Sequence, residues 1–253
     1  MMKIKSVLLL LLFMLYSSVC AFAGDLTVAV AANVQYAFDE LKAEFQKETG
    51  INVKPVIGSS GKFTTQIENG APFDVFLSAD LKYPQALKKA GLTINDPKIY
   101  AYGSLVLWTL DHIDLSKGMD VLLAPEVKKI AVASPEAAPY GRQAINVLQH
   151  YNLYTKVQDK LVYGESIAQA NQFITSKAAE IGFTAKSVVL APTMKDQGKW
   201  IDVPQEAYEL IAQGVVILKY TEKGSLASAQ KFFDFLFTEK AGEIFKKYGY
   251  ILP

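Results

Sequence analysis

The sequence predicts an α/β protein, because short β-branched runs alternate with segments whose apolar residues recur at helical spacing. Three such units follow one another, with strands predicted at 26–31, 51–57 and 74–77. The helical segment at 34–45 is apolar on one face and stops at Gly50. This alternation is typical of a sheet with parallel strands and helices on its faces. In such sheets, ligands bind beyond the carboxyl ends of the strands.

The pattern continues along the rest of the chain. Further strands are predicted at 105–109, 130–133, 181–184 and 214–218, with helical spacing between them. Two amphipathic helices are predicted after residue 225, and we expect their apolar faces to pack into the core.

Composition excludes several classes of function. The chain has 253 residues, 51% hydrophobic and 20% charged, so a sizeable core is expected. The net charge is +1 and Arg142 is the only arginine, so neither nucleic acid nor an anionic membrane surface is an expected partner. A single cysteine excludes a disulfide framework, and His112 and His150 lack the spacing of a zinc site. We therefore expect no cofactor and no bound metal cation.

Residues 1–23 are predicted to be a secretory signal peptide. Two lysines precede an apolar run at 6–16, and a small-x-small cleavage site ends at Ala23. The apolar run is shorter than the ~20 residues that cross a membrane, so cleavage is expected to release the protein. The alternative is a lipoprotein signal that uses Cys20, although the residue before it is not small.

Two turns that enter helices carry small hydrogen-bond donors. Asn33 follows the first strand and is predicted as an N-cap whose amide can also donate. Ser60 lies in the Gly-Ser-Ser-Gly turn at 58–61, where its hydroxyl can donate and Gly61 allows a close approach of the backbone. Free N–H groups and the positive end of the helix dipole suit such turns to anions. Together they predict an anion site at one edge of the sheet.

An enzyme is the alternative from another class of protein. Ser60 could be the nucleophile of a secreted serine hydrolase with Lys62 as its base, but the G-x-S-x-G pattern is absent. Segment 58–62 also lacks the residues of a phosphate-binding P-loop. We therefore expect a binding protein without catalytic residues.

Five motifs are spread over residues 26–253. They are AAN at 31–33, GSSGK at 58–62, NGAPFDVFLSAD at 69–80, APYG at 138–141 and IFKKYGYILP at 244–253. In their order and spacing they resemble the periplasmic molybdate-binding proteins of ABC transporters, and the long third motif makes the resemblance specific.

The resemblance implies a two-lobed periplasmic binding protein fold, in which each lobe is a mixed, mostly parallel sheet flanked by helices. By position, lobe I would comprise 24–103 and 213–253, and lobe II would be the inserted segment 104–212. The crossover strands would lie near 102–105 and 212–215. The protein would act as a periplasmic monomer that holds its ligand in the interlobe cleft.

The resemblance also implies the ligand residues. Asn33 and Ser60 match lobe I positions whose donors contact the oxyanion, and Tyr140 and Ile167 match lobe II positions that act through backbone N–H groups. Neighbours that could add backbone support are Ala32, Ser59, Gly61 and Gly141. The chain departs from many relatives at Asn33, where they have serine, and at Ala185, where they have a tyrosine near the ligand.

The implied ligand is molybdate, and the implied partner is the permease of a cognate ABC transporter. We expect tungstate to bind as well, because its size and charge are similar. A cleft of neutral donors suits a fully ionised oxyanion. Another tetrahedral oxyanion such as sulfate is the alternative, because only cavity size would separate these dianions. Arg142 follows the APYG motif and would either steer anions or face solvent.

Overall fold

The computed structural model describes residues 25–253, so the predicted signal peptide and Cys20 lie outside the described residues. In this part of the chain, ten strands form two five-stranded sheets. The strands are Leu26–Ala31 (β1), Val53–Gly58 (β2), Val75–Ser78 (β3), Lys98–Gly103 (β4), Leu105–Thr109 (β5), Ile130–Ala133 (β6), Leu161–Gly164 (β7), Ile181–Ala185 (β8), Lys199–Asp202 (β9) and Ile211–Ile217 (β10).

Helices flank both sheets. The α-helices within residues 25–253 are Gln35–Thr49 (α1), Ser60–Glu68 (α2), Lys82–Lys89 (α3), Pro139–His150 (α4), Tyr154–Val157 (α5), Ile167–Thr175 (α6), Lys186–Val189 (α7), Leu226–Phe235 (α8) and Glu239–Lys247 (α9). Short 3-10 helices include Ala32–Val34, directly before α1. No helix in the described range is both long and apolar enough to cross a membrane.

The two sheets have the same layout. Lobe I is built on the sheet with strand order β2-β1-β3-β10-β4, and lobe II on the sheet with order β7-β6-β8-β5-β9. In each sheet the first two neighbouring pairs are parallel and the last two are antiparallel. The two-lobed α/β fold predicted from the sequence is confirmed, although half of the pairings, rather than most, are parallel.

The chain crosses between the lobes twice. β4 of the lobe I sheet ends at Gly103 and β5 of the lobe II sheet begins at Leu105, so the chain first passes between the sheets at these residues. The return runs from the end of β9 at Asp202 to the start of β10. Residues 212–215 already pair within the lobe I sheet, so the second crossing lies before the predicted one.

Buried apolar runs form the strands that precede the cleft. β1 is almost fully buried, and α1 covers it with Phe38, Leu41 and Phe45 on one face. Gly50 ends α1 with a φ of 72°, a left-handed conformation that glycine adopts without strain. The sequence pattern does not predict β4 or β9, since both are edge strands that mix charged and apolar residues.

The C-terminal helices complete the core of lobe I, as expected from their apolar faces. Phe232 of α8 is fully buried. Its ring meets those of Phe38 and Phe45 of α1 edge-on, with centroids 5.8 and 5.1 Å away. Edge-to-face pairs of this kind stabilise a core beyond the area that they bury.

Phe232→Ala should lower the free energy of unfolding by about 3–5 kcal/mol, because it opens a cavity between α8 and α1. Leu226→Ala on the same helix is the matched control, since Leu226 is 39% exposed and its truncation should change stability by ~0.5 kcal/mol or less. Urea unfolding of both variants measures the difference. Equal losses would contradict the core position of Phe232.

Candidate functional site

Four helix starts meet at the cleft between the lobes. In lobe I, β1 leads into the 3-10 helix and β2 into α2, and in lobe II, β6 leads into α4 and β7 into α6. These turns place the four predicted ligand residues, Asn33, Ser60, Tyr140 and Ile167, around one cavity. The rest of its lining is Ala31, Ala32, Gly58, Ser59, Ala79, Ala138 and Pro139.

The cavity is small and uncharged. Its volume is about 10 Å³, far below the roughly 300–1,000 Å³ of pockets for drug-sized ligands. None of the described residues that line it is Asp, Glu, Lys, Arg or His. The dimensions therefore suit a small ion, and the polarity of the cavity comes from N–H and hydroxyl groups.

At the start of α4, a single backbone N–H group has no acceptor within the helix. Pro139 has none, and Gly141 and Arg142 both donate to the carbonyl of Ala138, at 3.0 and 3.2 Å. Among the described residues, the N–H of Tyr140 therefore keeps no backbone partner. This geometry suits the backbone donor role predicted for Tyr140.

Ile167 holds the equivalent place at the start of α6. The first hydrogen bond within this helix is made by Ala170, whose N–H donates to the carbonyl of Ser166 at 3.0 Å. The N–H of Ile167 precedes that bond, so it points out of the helix start without an intrahelical acceptor. The Ile167 side chain is apolar, so its backbone is the part that can bind an anion.

The turn between β2 and α2 supplies two hydroxyl groups. Ser60 Oγ accepts a hydrogen bond from the N–H of Ala79 at 2.9 Å, which leaves its own hydrogen free to donate. Ser59 Oγ is buried without a partner in the described part of the chain. Neither hydroxyl caps α2. Capping of α2 therefore does not account for Ser60.

The structure corrects the role predicted for the Asn33 side chain. Asn33 lies inside the 3-10 helix and does not cap α1. Its Nδ2 donates to Gln213 Oε1 at 2.8 Å and to the Tyr250 hydroxyl at 3.0 Å, which uses both amide hydrogens. Asn33 Oδ1 is buried and, within the residues described, has no partner. The donor that Asn33 keeps available is its backbone N–H.

Gln213, which we did not predict, links the two halves of the site. It is fully buried in β10. Its Oε1 accepts from Asn33 and from the Tyr100 hydroxyl (3.3 Å), and its Nε2 donates to the Tyr140 hydroxyl of lobe II (3.3 Å). Burial raises the pKa of the Tyr100 and Tyr140 hydroxyls well above the usual value, so both stay neutral. A lone glutamine in the apolar run IAQGVVI is the sequence signal that marks it.

Two glycines predicted as backbone support have other roles. The N–H of Gly61 donates to the carbonyl of Ala137 in lobe II at 2.9 Å, and that of Gly141 is used within the start of α4. Neither N–H is therefore free for a ligand. A Cβ at position 141 would lie 2.1 Å from the carbonyl oxygen of Ala133, so Gly141 allows α4 to pack against β6.

Other candidate residues lie away from the cavity. Ala185 is fully buried at the end of β8 and does not contribute to the lining. Besides Tyr140, Tyr250 lies beside the site, where its hydroxyl donates to the carbonyl of Asn33. Lys62 forms an exposed salt bridge with Glu165 at 2.7 Å, so it is not paired with Ser60 as a hydrolase would require. Within residues 25–253, no group of three or more His, Cys, Asp or Glu residues could hold a metal ion.

A two-lobed fold with a small cleft lined by four helix starts is typical of solute-binding proteins. The family model for bacterial extracellular solute-binding proteins matches residues 26–251, and the chain belongs to this family. The molybdate-binding protein ModA of Rhodobacter capsulatus is 41% identical over 233 residues, which cover 91% of this chain and 90% of that protein. ModA of Azotobacter vinelandii is 40% identical over 231 residues, 91% of each.

Solved structures agree with this family. The periplasmic molybdate-binding protein of Azotobacter vinelandii matches with a TM-score of 0.85 and 36% identity, covering 90% of this chain and 100% of that one. The sulfate-binding protein SubI of Mycobacterium tuberculosis matches with a TM-score of 0.71 at 15% identity, covering 90% and 86%, and shows the fold alone. The predicted resemblance is confirmed, and the family consists of binding proteins rather than enzymes.

Gln213→Leu should lower the free energy of unfolding of the ligand-free protein by roughly 2–5 kcal/mol. It removes one acceptor each from Asn33 Nδ2 and the Tyr100 hydroxyl, and it leaves the buried Tyr140 hydroxyl without a partner among the described residues. Gln149 of α4 is exposed, so Gln149→Leu is the control and should change stability by about 0.5 kcal/mol or less. Guanidinium unfolding measures both. Equal free energies of unfolding for the two variants would show that the Gln213 contacts contribute nothing to stability.

Proposed function

We propose that the protein captures molybdate in the cleft between its lobes and delivers it to the permease of an ABC transporter. The observation that carries this proposal is the small, uncharged cavity to which four helix starts contribute donors. The relatives named for molybdate support the choice of ligand. Tungstate should bind too, because its size and charge are close to those of molybdate.

The donors explain how such a cavity can hold a dianion. An anion that enters the cleft loses its hydration, which is costly unless other hydrogen bonds replace the water. The N–H groups of Asn33, Ser60, Tyr140 and Ile167, with the Ser60 hydroxyl, replace it at the positive ends of helices. No cation from the lining is needed. A fully ionised oxyanion fits these donors better than a protonated phosphate, whose O–H requires an acceptor.

Asn33 lines the cavity, and its Oδ1 is a buried acceptor without a partner among the described residues. Turning the Asn33 carboxamide by 180° would put Nδ2 in its place. If the Gln213 carboxamide turned as well, its Nε2 would donate to Asn33 Oδ1 and would give up its hydrogen bond to the Ile211 carbonyl. The bound anion would favour this arrangement, because it gains one more donor.

A panel of anions tests the ligand. A ligand that binds only the native state raises its melting temperature, so molybdate and tungstate should raise it at micromolar concentrations and phosphate should not. Sulfate is the competing candidate, and a larger shift with sulfate than with molybdate would favour it. No shift with any of the four would overturn the proposal.

Ser60→Ala should weaken molybdate binding by about ten- to 150-fold. The reason is that a hydrogen bond to a charged group contributes roughly 1.5–3 kcal/mol. Isothermal titration calorimetry gives the affinity, and denaturation of the ligand-free variant gives its stability. Unchanged affinity would remove Ser60 from the ligand site.

The two histidines provide controls for this series. His112 and His150 are exposed and outside the cavity lining. His112→Ala and His150→Ala should therefore leave molybdate affinity unchanged. A loss in either variant as large as that of Ser60→Ala would mean that the binding site lies elsewhere.

We also propose that the mature protein begins at Gly24 and acts as a free periplasmic monomer. The proposal rests on the cleavage site that ends at Ala23. Intact mass spectrometry of exported protein should give the mass of residues 24–253. A lipid-modified Cys20 at the N-terminus would contradict it.

A further inference from the structure

The lobes touch at a second place, outside the cavity. In lobe I, Gly61 of α2 donates its N–H to the carbonyl of Ala137, at 2.9 Å. Nearby, the Tyr83 hydroxyl of α3 donates to the carbonyl of Glu136, also at 2.9 Å. Both acceptors belong to the lobe II turn between β6 and α4. None of these four residues lines the cavity.

This contact requires glycine at position 61. A Cβ there would lie 2.9 Å from Ala137 Cα, 2.9 Å from the Tyr83 hydroxyl oxygen and 3.1 Å from the Ala137 carbonyl oxygen. The first of these atoms is backbone, which cannot move aside as the tip of a flexible side chain can. The lobes could therefore not reach this separation with any larger residue at position 61.

Arg142 supports the same contact. Its guanidinium pairs with Asp80 of lobe I and donates to the Tyr83 hydroxyl at 3.2 Å. Burial raises the pKa of Asp80, and the Arg142 charge opposes that shift. Arg142 is thus held by lobe I groups at the edge of the cleft rather than extending freely into solvent.

We propose that Gly61, Tyr83 and the carbonyls of Glu136 and Ala137 form an interlobe clasp, which sets the affinity for the anion without touching it. This inference rests on the proposed function. A ligand held by both lobes favours the closed state through contacts that exist only there. The clasp adds contacts of the same kind, so losing it lowers the closed population and weakens binding in proportion.

Tyr83→Phe and Gly61→Ala test the clasp in different ways. Tyr83→Phe removes two hydrogen bonds between the lobes, one to the Glu136 carbonyl and one from Arg142. The dissociation constant for molybdate should therefore rise about five- to 150-fold. Gly61→Ala blocks the closed separation and should raise the constant more than tenfold. It should also leave the radius of gyration at saturating molybdate closer to that of the ligand-free protein. Calorimetry and small-angle X-ray scattering give these values.

The stability of the ligand-free variants distinguishes a defect in lobe closure from a defect in folding. Alanine favours a helix more than glycine does, so the melting temperature of ligand-free Gly61→Ala should be unchanged or higher. Tyr83→Phe should leave it unchanged. Lys62→Ala is the matched control, because the Lys62–Glu165 bridge also joins the lobes but is half exposed. It should change affinity by less than about twofold, as is usual for an exposed ion pair.

Three outcomes would overturn the clasp. In the first, wild-type protein binds molybdate and both clasp variants bind it equally well, which leaves the proposed function intact. In the second, each loss of affinity is matched by a loss of ligand-free stability, which indicates a folding defect. In the third, wild-type protein binds no molybdate, and the proposed function fails together with the clasp.

Discussion

The buried carboxamide of Gln213 holds together groups from both lobes behind the cavity. It contacts Asn33 on one side and Tyr140 on the other. Gln213 lies at the start of β10, where the chain has just returned from lobe II. At the other crossing, a Cβ on Gly103 would lie 2.0 Å from the Tyr140 hydroxyl. Both crossings therefore pack against the same few side chains, so a bend at either one also moves the turns that face the ligand.

The fold could largely be predicted because its central strands are continuous apolar runs between turn residues. β1, β6 and β8 are buried on both faces and stand out in the sequence for that reason. β4 and β9 close the open edges of the sheets, and their half-exposed residues carry no such pattern. The sequence pattern also misses the start of β10, because the polar residue Gln213 interrupts its apolar run. The contacts that explain a glutamine at this position are visible only in the tertiary structure.

Only some of the site residues could be predicted from local sequence patterns. Asn33 and Ser60 are polar residues at helix starts, so local chemistry marks them. Tyr140 and Ile167 offer only backbone N–H groups, which any residue has, and therefore only the resemblance pointed to them. The predictions for Asn33 and Gly61 were wrong in detail for a common reason. Their hydrogen-bonding groups are taken by Gln213 and Ala137, which lie far away in the sequence.

The matching strand orders of the two sheets have a consequence for the shape of the ligand. Each lobe presents the turns that follow two adjacent parallel strands, β1 and β2 in one and β6 and β7 in the other. A tetrahedral anion has a two-fold axis that divides its four oxygens into two pairs, so each lobe can receive one pair. A planar anion with three oxygens cannot be shared equally in this way. Under the proposed function, the duplicated layout of the lobes thus favours a ligand whose oxygens divide into two equal pairs.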